Sequence, residues 1–322
     1  MSQATDIDLV VSQWGEGIDT RLRERLPHLE IQSIERGLPA AWPARPHMLL
    51  AMPMKLAPPL DRIPPPGGMG GLRWAQLASV GFDNYPRWLL DAPFVSTASG
   101  TSAEVIAEFA LACMLSFNKG LPERWINDVS QWRLSPAPPL RGSVLGLLGL
   151  GAIGKALAAK ALALGLRVVA LRRSSHVPAP AGIKLVDGID ALLAESDHVV
   201  LAAPGTAQTR HLINRESLRA AKPGLHLINV ARGSLVDQDA LLEALNDGRI
   251  GRASLDVTEP EPLPAGHAFY THPRVKLSPH TSAISPWQHD ALIEKFLGNY
   301  ERFCAGLPLE DLVNEERLSR GY

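Results

Sequence analysis

Charged side chains stand just past three successive predicted strands in the second half of the chain. Arg232 follows the first of these strands, Asp256, Glu259 and Glu261 follow the second, and His280 follows the third. Parallel strands present their carboxyl ends at one edge of the sheet, where ligands bind in open α/β folds. An arginine can hold a carboxylate through two hydrogen bonds, and a histidine can give and take a proton. We therefore expect the arginine, an acid and the histidine to converge on one ligand crevice.

A glycine-rich turn precedes these residues in the chain. Gly149, Gly151 and Gly154 follow an apolar segment, and Ala152 and Ile153 open an alanine-rich helix. In a dinucleotide site the first glycine makes the tight turn, the second lets the backbone approach a pyrophosphate, and the third lets the helix pack on the strand. The helix N-terminus then faces the phosphates. The turn predicts a dinucleotide site, and a turn without a ligand is the alternative.

The end of the next predicted strand indicates which dinucleotide binds. An NAD site usually has an acid there for the ribose 2′-hydroxyl, but this chain has Arg172, Arg173 and Ser174. Arginines pair with a 2′-phosphate that a carboxylate would repel. We therefore expect NADP(H) to be preferred, with NAD(H) as a second cofactor. The alternative is that the two arginines form an ordinary solvated strand end.

Regular apolar segments in the second half predict the elements that position these residues. Short helices separate them, which favours a parallel, doubly wound sheet. The predicted strands are 144–148, 167–171, 198–202, 226–230, 252–255 and 275–277. The predicted helices are 153–164, 189–195, 216–220 and 238–247.

The first hundred residues predict a smaller unit of the βαβ kind. Its predicted strands are 8–12, 47–52 and 73–79, with a helix at 19–26; a longer helix at 102–119 follows, and a last helix covers 286–304. We expect an α/β protein with two α/β domains, a doubly wound Rossmann-type parallel sheet and a smaller flavodoxin-like substrate domain. The substrate domain is expected to be discontinuous, with residues 1–98 and 284–322, and the dinucleotide domain to cover 99–283.

Composition limits the classes of partner. The 322 residues carry a formal net charge of −1, so no overall basic field favours nucleic acid or an anionic membrane. No signal peptide or membrane-spanning stretch is evident, which predicts a cytoplasmic protein. Cys113 and Cys304 lack the spacing of a metal site and are expected to be buried thiols, and no metal is expected.

Five motifs in fixed order carry a resemblance to a known family. They are GLGAIG, AAPGTAQTRHLI, NVARGSLVD, DVTEPEPLP and SPHTSA. As a set they resemble the D-isomer-specific 2-hydroxyacid dehydrogenases, in particular the glyoxylate/hydroxypyruvate reductase type. The resemblance runs over nearly the whole chain and is strongest from Thr101 to Ala283.

The resemblance implies a role for each charged residue of the crevice. Arg232 would bind the substrate carboxylate and polarise the keto oxygen, and His280 would be the acid in reduction and the base in oxidation. Glu261 would accept a hydrogen bond from the far nitrogen of His280, because the family places this glutamate five residues after the strand-end aspartate. Glu259 is the rival acid, and Asp256 would hold the nicotinamide carboxamide.

The resemblance also assigns residues around the substrate and the cofactor. Val80 and Gly81 would bind the substrate carboxylate through backbone N–H groups, and Met52 would line the pocket. A plain strand-to-helix turn is the alternative for Val80 and Gly81. Further cofactor contacts are assigned to Thr101, Pro204, Thr209, Val230 and Ala231.

The expected function is the reduction by NADPH of a small 2-keto acid, such as glyoxylate or hydroxypyruvate, to a D-2-hydroxy acid. Phosphite-type and phosphoglycerate-type oxidoreductases of the same family are alternatives, as is a non-catalytic dinucleotide sensor. The resemblance also implies a homodimer. Its contact would be the arm Leu121–Arg141, which carries Trp125 and Trp132.

Overall fold

The chain forms two compact units in a computed structural model that describes residues 9–37, 43, 46–54, 56, 60–64, 70–173 and 178–320. One unit consists of Met1–Thr101 and Ser285–Tyr322, and the other of Ser102–Ile284. The first unit is therefore built from two separate stretches of sequence. In the part of the chain that the structure describes, no helix is long and apolar enough to cross a membrane.

The first unit contains a five-stranded parallel sheet. Its strands are β1 (Leu9–Ser12), β2 (Glu30–Ser33), β3 (Met48–Ala51), β4 (Trp74–Leu77) and β5 (Phe94–Ser96), with helices α1 (Glu16–Arg25) and α2 (Arg87–Leu90) between them in the chain. The strand order is β2-β1-β3-β4-β5, and all neighbours are parallel. This is the order of flavodoxin-like folds, so the predicted fold class of this unit is confirmed.

The second unit contains a seven-stranded parallel sheet. It begins with α3 (Ala103–Lys119), and its strands are β6 (Val144–Leu148), β7 (Arg167–Leu171), β8 (Ile183–Leu185), β9 (His198–Leu201), β10 (Leu225–Asn229), β11 (Ile250–Leu255) and β12 (Val275–Leu277). Helices α4 (Ala152–Ala163), α5 (Ile189–Glu195) and α6 (Gln238–Asn246) connect them. Both faces of the sheet carry a hydrophobic cluster, as expected for a sheet covered by helices on two sides.

The direction of strand addition reverses between β6 and β9. The sheet order is β12-β11-β10-β9-β6-β7-β8, so the chain moves outward from β6 to β8 and then in the opposite direction from β9 to β12. Ligands of doubly wound folds bind outside the carboxyl ends of strands at such a reversal. The predicted Rossmann-type sheet is confirmed, and the reversal places the crevice beside the glycine-rich turn that follows β6.

The chain returns to the first unit with α7 (Gln288–Cys304) and α8 (Glu315–Arg320). Phe296 and Phe303 of α7 stack on Trp74 of β4, with ring centroids 5.4 and 5.6 Å apart. All three aromatic side chains are buried. This aromatic stack joins the last long helix to the sheet that is formed by the start of the chain.

Several local predictions differ from the structure. The edge strands β2, β5 and β8 were not predicted, because β2 and β8 bury few of their side chains and all three are short. The segment 216–220 is a 3₁₀ turn over Ser217–Ala220 rather than an α-helix. Cys113 and Cys304 are free thiols as expected, but they are only partly buried rather than buried.

Candidate active site

The glycine-rich turn after β6 is shaped by two close backbone approaches. Gly149 has a φ of 102°, and a Cβ there would lie 2.7 Å from the carbonyl oxygen of Ala202. A Cβ on Gly154 would lie 2.3 Å from the carbonyl oxygen of Gly149. Gly151, by contrast, has open space where its Cβ would be, within the described residues. The turn therefore has room at its middle glycine, where a pyrophosphate would approach.

The start of α4 faces this open space. The helix begins at Ala152 and Ile153 with Gly151 as its N-cap residue, and no described side chain caps it. The first backbone N–H groups of a helix have no partner inside the helix, and the positive end of its dipole favours an anion. The residues present therefore fit the phosphates of a dinucleotide.

Arg172 directly follows β7, and two of its guanidinium nitrogens are unsatisfied. Its Nε and Nη2 atoms are buried, and neither has a hydrogen-bond partner among the described residues. Arg173 beside it is exposed, and Ser174, the third residue predicted here, lies outside the described residues. A buried cationic donor without a partner is costly. An anionic group of a ligand would satisfy it.

His280 and Glu261 form a hydrogen-bonded pair at the ends of β12 and β11. The Nδ1 atom of His280 lies 2.9 Å from Oε2 of Glu261. A carboxylate only accepts, so Nδ1 carries the donated proton and Nε2 is left for a ligand. The other carboxylate oxygen of Glu261 accepts from the backbone N–H of Thr258 at 2.9 Å. Both side chains are partly exposed, at 47% and 38%.

Asp256 organises the loop that carries His280. Its carboxylate is buried and accepts from the Ser278 hydroxyl at 2.6 Å and from the backbone N–H groups of Thr281 and Ser282 at 2.9 and 3.0 Å. The backbone N–H of His280 donates to the Asp256 carbonyl at 2.9 Å. His280 has a φ of 51°, an uncommon conformation for a histidine, and these hydrogen bonds hold it. The carboxamide contact of Asp256 stays a prediction.

Arg232 lies three residues beyond the end of β10, on a tightly built turn. The Asn229 side chain donates to the Arg232 carbonyl at 2.8 Å and accepts from the Ala231 N–H at 3.0 Å. A Cβ on Gly233 would lie 2.0 Å from the carbonyl carbon of Thr258, so only glycine fits there. The arginine turn and the loop that bears Glu261 are therefore in direct backbone contact.

The structure separates the two candidate glutamates. Glu259 forms a two-point ion pair with Arg210, with both nitrogen–oxygen distances at 3.0 Å. Glu261 is the acid beside His280. Sequence spacing alone left both open, and Arg210 was not predicted to take part. An arginine in the loop after β9 gave no sequence signal of its own.

The remaining predicted cofactor residues lie on loops at the carboxyl edge of the second sheet, with one exception. The Thr209 hydroxyl donates to the Pro204 carbonyl at 2.6 Å in the loop after β9. Val230 and Ala231 are buried just past β10. Thr101 belongs to the first unit, where its hydroxyl donates to the Ala98 carbonyl at 2.9 Å. Their contacts with a cofactor stay predictions.

The predicted substrate residues follow β3 and β4 of the first unit. The N–H of Met52 donates to the Gln13 side chain at 3.2 Å. The Ser79 hydroxyl donates to the Gly81 carbonyl at 2.8 Å, which shapes the loop around Val80. The buried Tyr85 hydroxyl accepts from the N–H of Ala78 at 3.1 Å. The first unit thus holds the two loops at the carboxyl edge of its own sheet, and their role in substrate binding stays a prediction.

A cavity of about 590 Å³ adjoins the His280–Glu261 pair within the second unit. Leu263, Tyr270 and Leu277 give it an apolar wall. The second unit thus combines a strand-order reversal, a helix N-terminus that can bind an anion, a histidine–carboxylate pair, and an arginine turn in contact with the loop of that pair. Together these features define an oxidoreductase that uses a nicotinamide dinucleotide.

Comparison with known proteins assigns the family within that class. Residues 111–282 match the model of the D-isomer specific 2-hydroxyacid dehydrogenase NAD binding domain, and the chain belongs to this family. It is 33% identical to a glyoxylate reductase of Thermofilum pendens over 253 residues, 74% of each chain. It is also 33% identical to glyoxylate/hydroxypyruvate reductase B of Enterobacter agglomerans over 280 residues, which cover 80% of this chain and 85% of the relative.

A solved structure covers almost the full length. A D-isomer specific 2-hydroxyacid dehydrogenase from Xanthobacter autotrophicus Py2, crystallised with NADPH and MES, superposes with a TM-score of 0.80 and 28% identity. The superposition covers 98% of this chain and 99% of that one. The predicted family and the predicted NAD(P)-dependent oxidoreductase class are thus confirmed.

Proposed function

We propose that this protein uses NADPH to reduce a small 2-keto acid to the corresponding D-2-hydroxy acid, with glyoxylate and hydroxypyruvate as the leading substrates. The observation that carries the proposal is the 2.9 Å pair of His280 and Glu261. Arg232 stands on a turn that contacts the same loop. Relatives named glyoxylate reductase and glyoxylate/hydroxypyruvate reductase support the substrate class.

In this proposal three side chains act on the substrate. The guanidinium of Arg232 binds the substrate carboxylate and polarises the keto oxygen. His280 donates its Nε2 proton to that oxygen as negative charge develops there. Glu261 accepts the Nδ1–H hydrogen bond, which stabilises the imidazolium and fixes the ring orientation. NADPH supplies the hydride when it is bound.

The preference for NADPH rests on Arg172 and Arg173. The buried Nε and Nη2 atoms of Arg172 lack a partner among the described residues, and the 2′-phosphate of NADPH would supply an acceptor. Gly149, Gly151 and Gly154 would hold the pyrophosphate in the same site. NADH, which lacks the 2′-phosphate, would bind through the remaining contacts and more weakly.

A homodimer through the arm Leu121–Arg141 is part of the proposal. Large apolar side chains of this arm are exposed, with Trp125 at 72%, Trp132 at 75% and Leu134 at 99%. A run of exposed apolar side chains is typical of a protein interface. A second copy of the chain would cover the arm, since closed two-fold dimers are the commonest soluble assemblies.

A cytoplasmic location also stays part of the proposal. Cys113 and Cys304 are both free thiols. Free thiols are the usual state of cysteines in a reducing compartment, where disulfides are rare.

A substrate panel tests the proposed reaction. Loss of NADPH absorbance would be measured with glyoxylate, hydroxypyruvate and pyruvate, with NADH in parallel, and the configuration of the product would be determined. We expect turnover with at least one of these acids and a D product. A phosphorylated keto acid with NADPH, and phosphite with NADP+, are assayed in parallel, and turnover of only one of these two would assign a different reaction. Tight NADPH binding without turnover of any of these compounds would favour a dinucleotide sensor.

A further inference from the structure

The loop that bears Glu261 is clamped by one side chain of the neighbouring helix. The Nε2 atom of Gln238 donates to the Glu259 carbonyl at 2.7 Å, and the Glu259 N–H donates to Oε1 of Gln238 at 3.1 Å. The single carboxamide of Gln238 thus hydrogen-bonds both the N–H and the carbonyl of Glu259, as a neighbouring strand does in a β-sheet. Glu259 is two positions before Glu261.

Gln238 is held rigidly at the start of α6. Asp237 caps this helix, with its carboxylate accepting from the Ala240 N–H at 3.1 Å. Ala240, Leu241, Ala244 and Leu245 bury the inner face of the helix in the core of the second unit. The carboxamide therefore projects from an element that is fixed by its cap and its packing, and it can set the position of a loop.

The catalytic pair needs such an anchor. His280 and Glu261 are 47% and 38% exposed, so packing restrains neither side chain strongly. Glu261 is oriented by its hydrogen bond to the N–H of Thr258, which is a bond within the same loop. The position of the carboxylate therefore depends on how the backbone of residues 258–261 is held.

Further contacts act on this loop, including His211 with its Nε2 atom 4.0 Å from a Glu259 carboxylate oxygen, but none replaces the clamp. Arg210 binds the Glu259 side chain through an exposed ion pair, and exposed pairs contribute little. Gly233 touches Thr258 only by close packing, without a hydrogen bond to Glu259. Gln238 is the described side chain that hydrogen-bonds both the N–H and the carbonyl of Glu259.

We propose that Gln238 is a positioning residue for proton transfer, acting by holding Glu261 where it orients and stabilises the imidazolium of His280. The inference rests on the proposed function, in which His280 donates the proton. A displacement of about 1 Å in a catalytic group can cost roughly a hundredfold in rate. Because the Thr258–Glu261 hydrogen bond would remain, a smaller loss is expected here.

The test compares Gln238→Ala with Glu261→Gln in 2-keto acid reduction. We expect Gln238→Ala to lower kcat by about tenfold, which is less than the hundredfold loss of a fully displaced group. The KM and NADPH affinity of this variant should change little. The alkaline limb of its pH–rate profile is expected to move to lower pH, in the direction that Glu261→Gln moves it, because a displaced carboxylate stabilises the imidazolium less. A purely structural role would lower thermal stability without moving that limb.

Two further variants complete the test. Asp239→Ala, at the next position of the same helix and exposed, is the matched control and should keep the wild-type profile. Gln238→Glu keeps the acceptor for the Glu259 N–H but loses the donor to its carbonyl, so its effect should lie between wild type and Gln238→Ala. If Gln238→Ala fails to fold by circular dichroism, Gln238→Glu carries the comparison.

The outcomes separate the two proposals. If Glu261→Gln shifts the limb and folded Gln238 variants do not, the positioning role is wrong and the proposed function stands. If Glu261→Gln leaves both rate and profile unchanged, the acid–base assignment fails and the role of Gln238 fails with it.

Discussion

Arg172 is the residue on which the proposed preference for NADPH over NADH depends most. The sequence places it where an NAD site usually has an acid, and the structure leaves two of its buried nitrogens without a partner in the described part of the chain. Hydrogen bonds to a charged group contribute about 1.5–3 kcal/mol each. One contact with the 2′-phosphate can therefore raise the affinity for NADPH by tenfold or more.

Replacing Arg172 and Arg173 by glutamine should weaken NADPH binding by about tenfold or more while NADH binding changes little, because only NADPH carries the 2′-phosphate. Titration of each variant with both cofactors measures this. Arg167→Gln is the matched control, because Arg167 is exposed at the start of β7, the strand that precedes Arg172. Equal losses for NADPH and NADH would contradict the assignment of the phosphate to these arginines.

Sequence reasoning names candidate site residues where a motif and its chemistry coincide, and it misses those that only the three-dimensional geometry shows. Arg232, His280 and the glycine turn follow from their places after strands. The choice of Glu261 over Glu259 came only from the family pattern, and the structure explains it through the Arg210–Glu259 ion pair. Gln238 was missed because a glutamine at a helix start is common, and its partner is twenty-one residues away.

Among the elements, the buried strands were predicted well, whereas of the four edge strands only β12 was predicted. β9 and β10 are buried at every position and appear as continuous apolar runs interrupted only by histidines or a polar end. β8 has no fully buried residue, so its three residues carry no pattern that separates a strand from a loop. Its pairing with β7 is a tertiary property.

Those two central strands carry a buried histidine pair. The Nδ1 atoms of His198 and His226 lie 3.3 Å apart, and Nε2 of His226 lies 2.9 Å from the Ser254 hydroxyl. Burial lowers the pKa of His198 from 6.5 to about 4, against a smaller opposing effect of Asp197. Burial, followed by the nearby His198 and Arg252, holds the pKa of His226 well below its usual range.

This pair should make the second unit sensitive to acid. Below pH 6.5 the His198 side chain binds a proton in the unfolded chain but stays neutral in the folded protein. The free energy of unfolding therefore falls as the pH drops from 6.5 to about 4. The lowered pKa of His198 corresponds to a loss of about 3 kcal/mol in the free energy of unfolding at the acid end of this window. Urea unfolding of wild type and His198→Gln at neutral and acid pH measures the difference.

We expect His198→Gln to lose less stability than wild type over this window, whatever its stability at neutral pH. His289→Gln removes an exposed histidine and should keep the wild-type pH dependence. Identical pH dependence in His198→Gln and wild type would show that the buried pair does not contribute.

At the scale of the whole molecule, the exposed arm predicts assembly. Trp125 and Trp132 are exposed in a single chain, although tryptophan is usually well buried. Trp125→Ser with Trp132→Ser should convert a dimer to a monomer, because the apolar area that a second copy would cover is lost. Light scattering after size exclusion measures the mass.

Trp287→Ser is the matched control, since Trp287 is equally exposed, at 71%, but lies outside the arm. It should leave the dimer intact. A wild-type protein with the mass of one chain would contradict the proposed homodimer, and a dimer that survives both arm substitutions would place the interface elsewhere.

The central claim is that His280 transfers the proton in 2-keto acid reduction, and the most direct measurement is the turnover of His280→Ala beside NADPH binding to the same variant. Loss of a general acid usually costs a hundredfold or more, so kcat should fall by at least about that factor. NADPH should bind with its wild-type affinity, because Gly149, Gly151 and Arg172 are unchanged. Full activity of His280→Ala with the preferred keto acid would contradict the account.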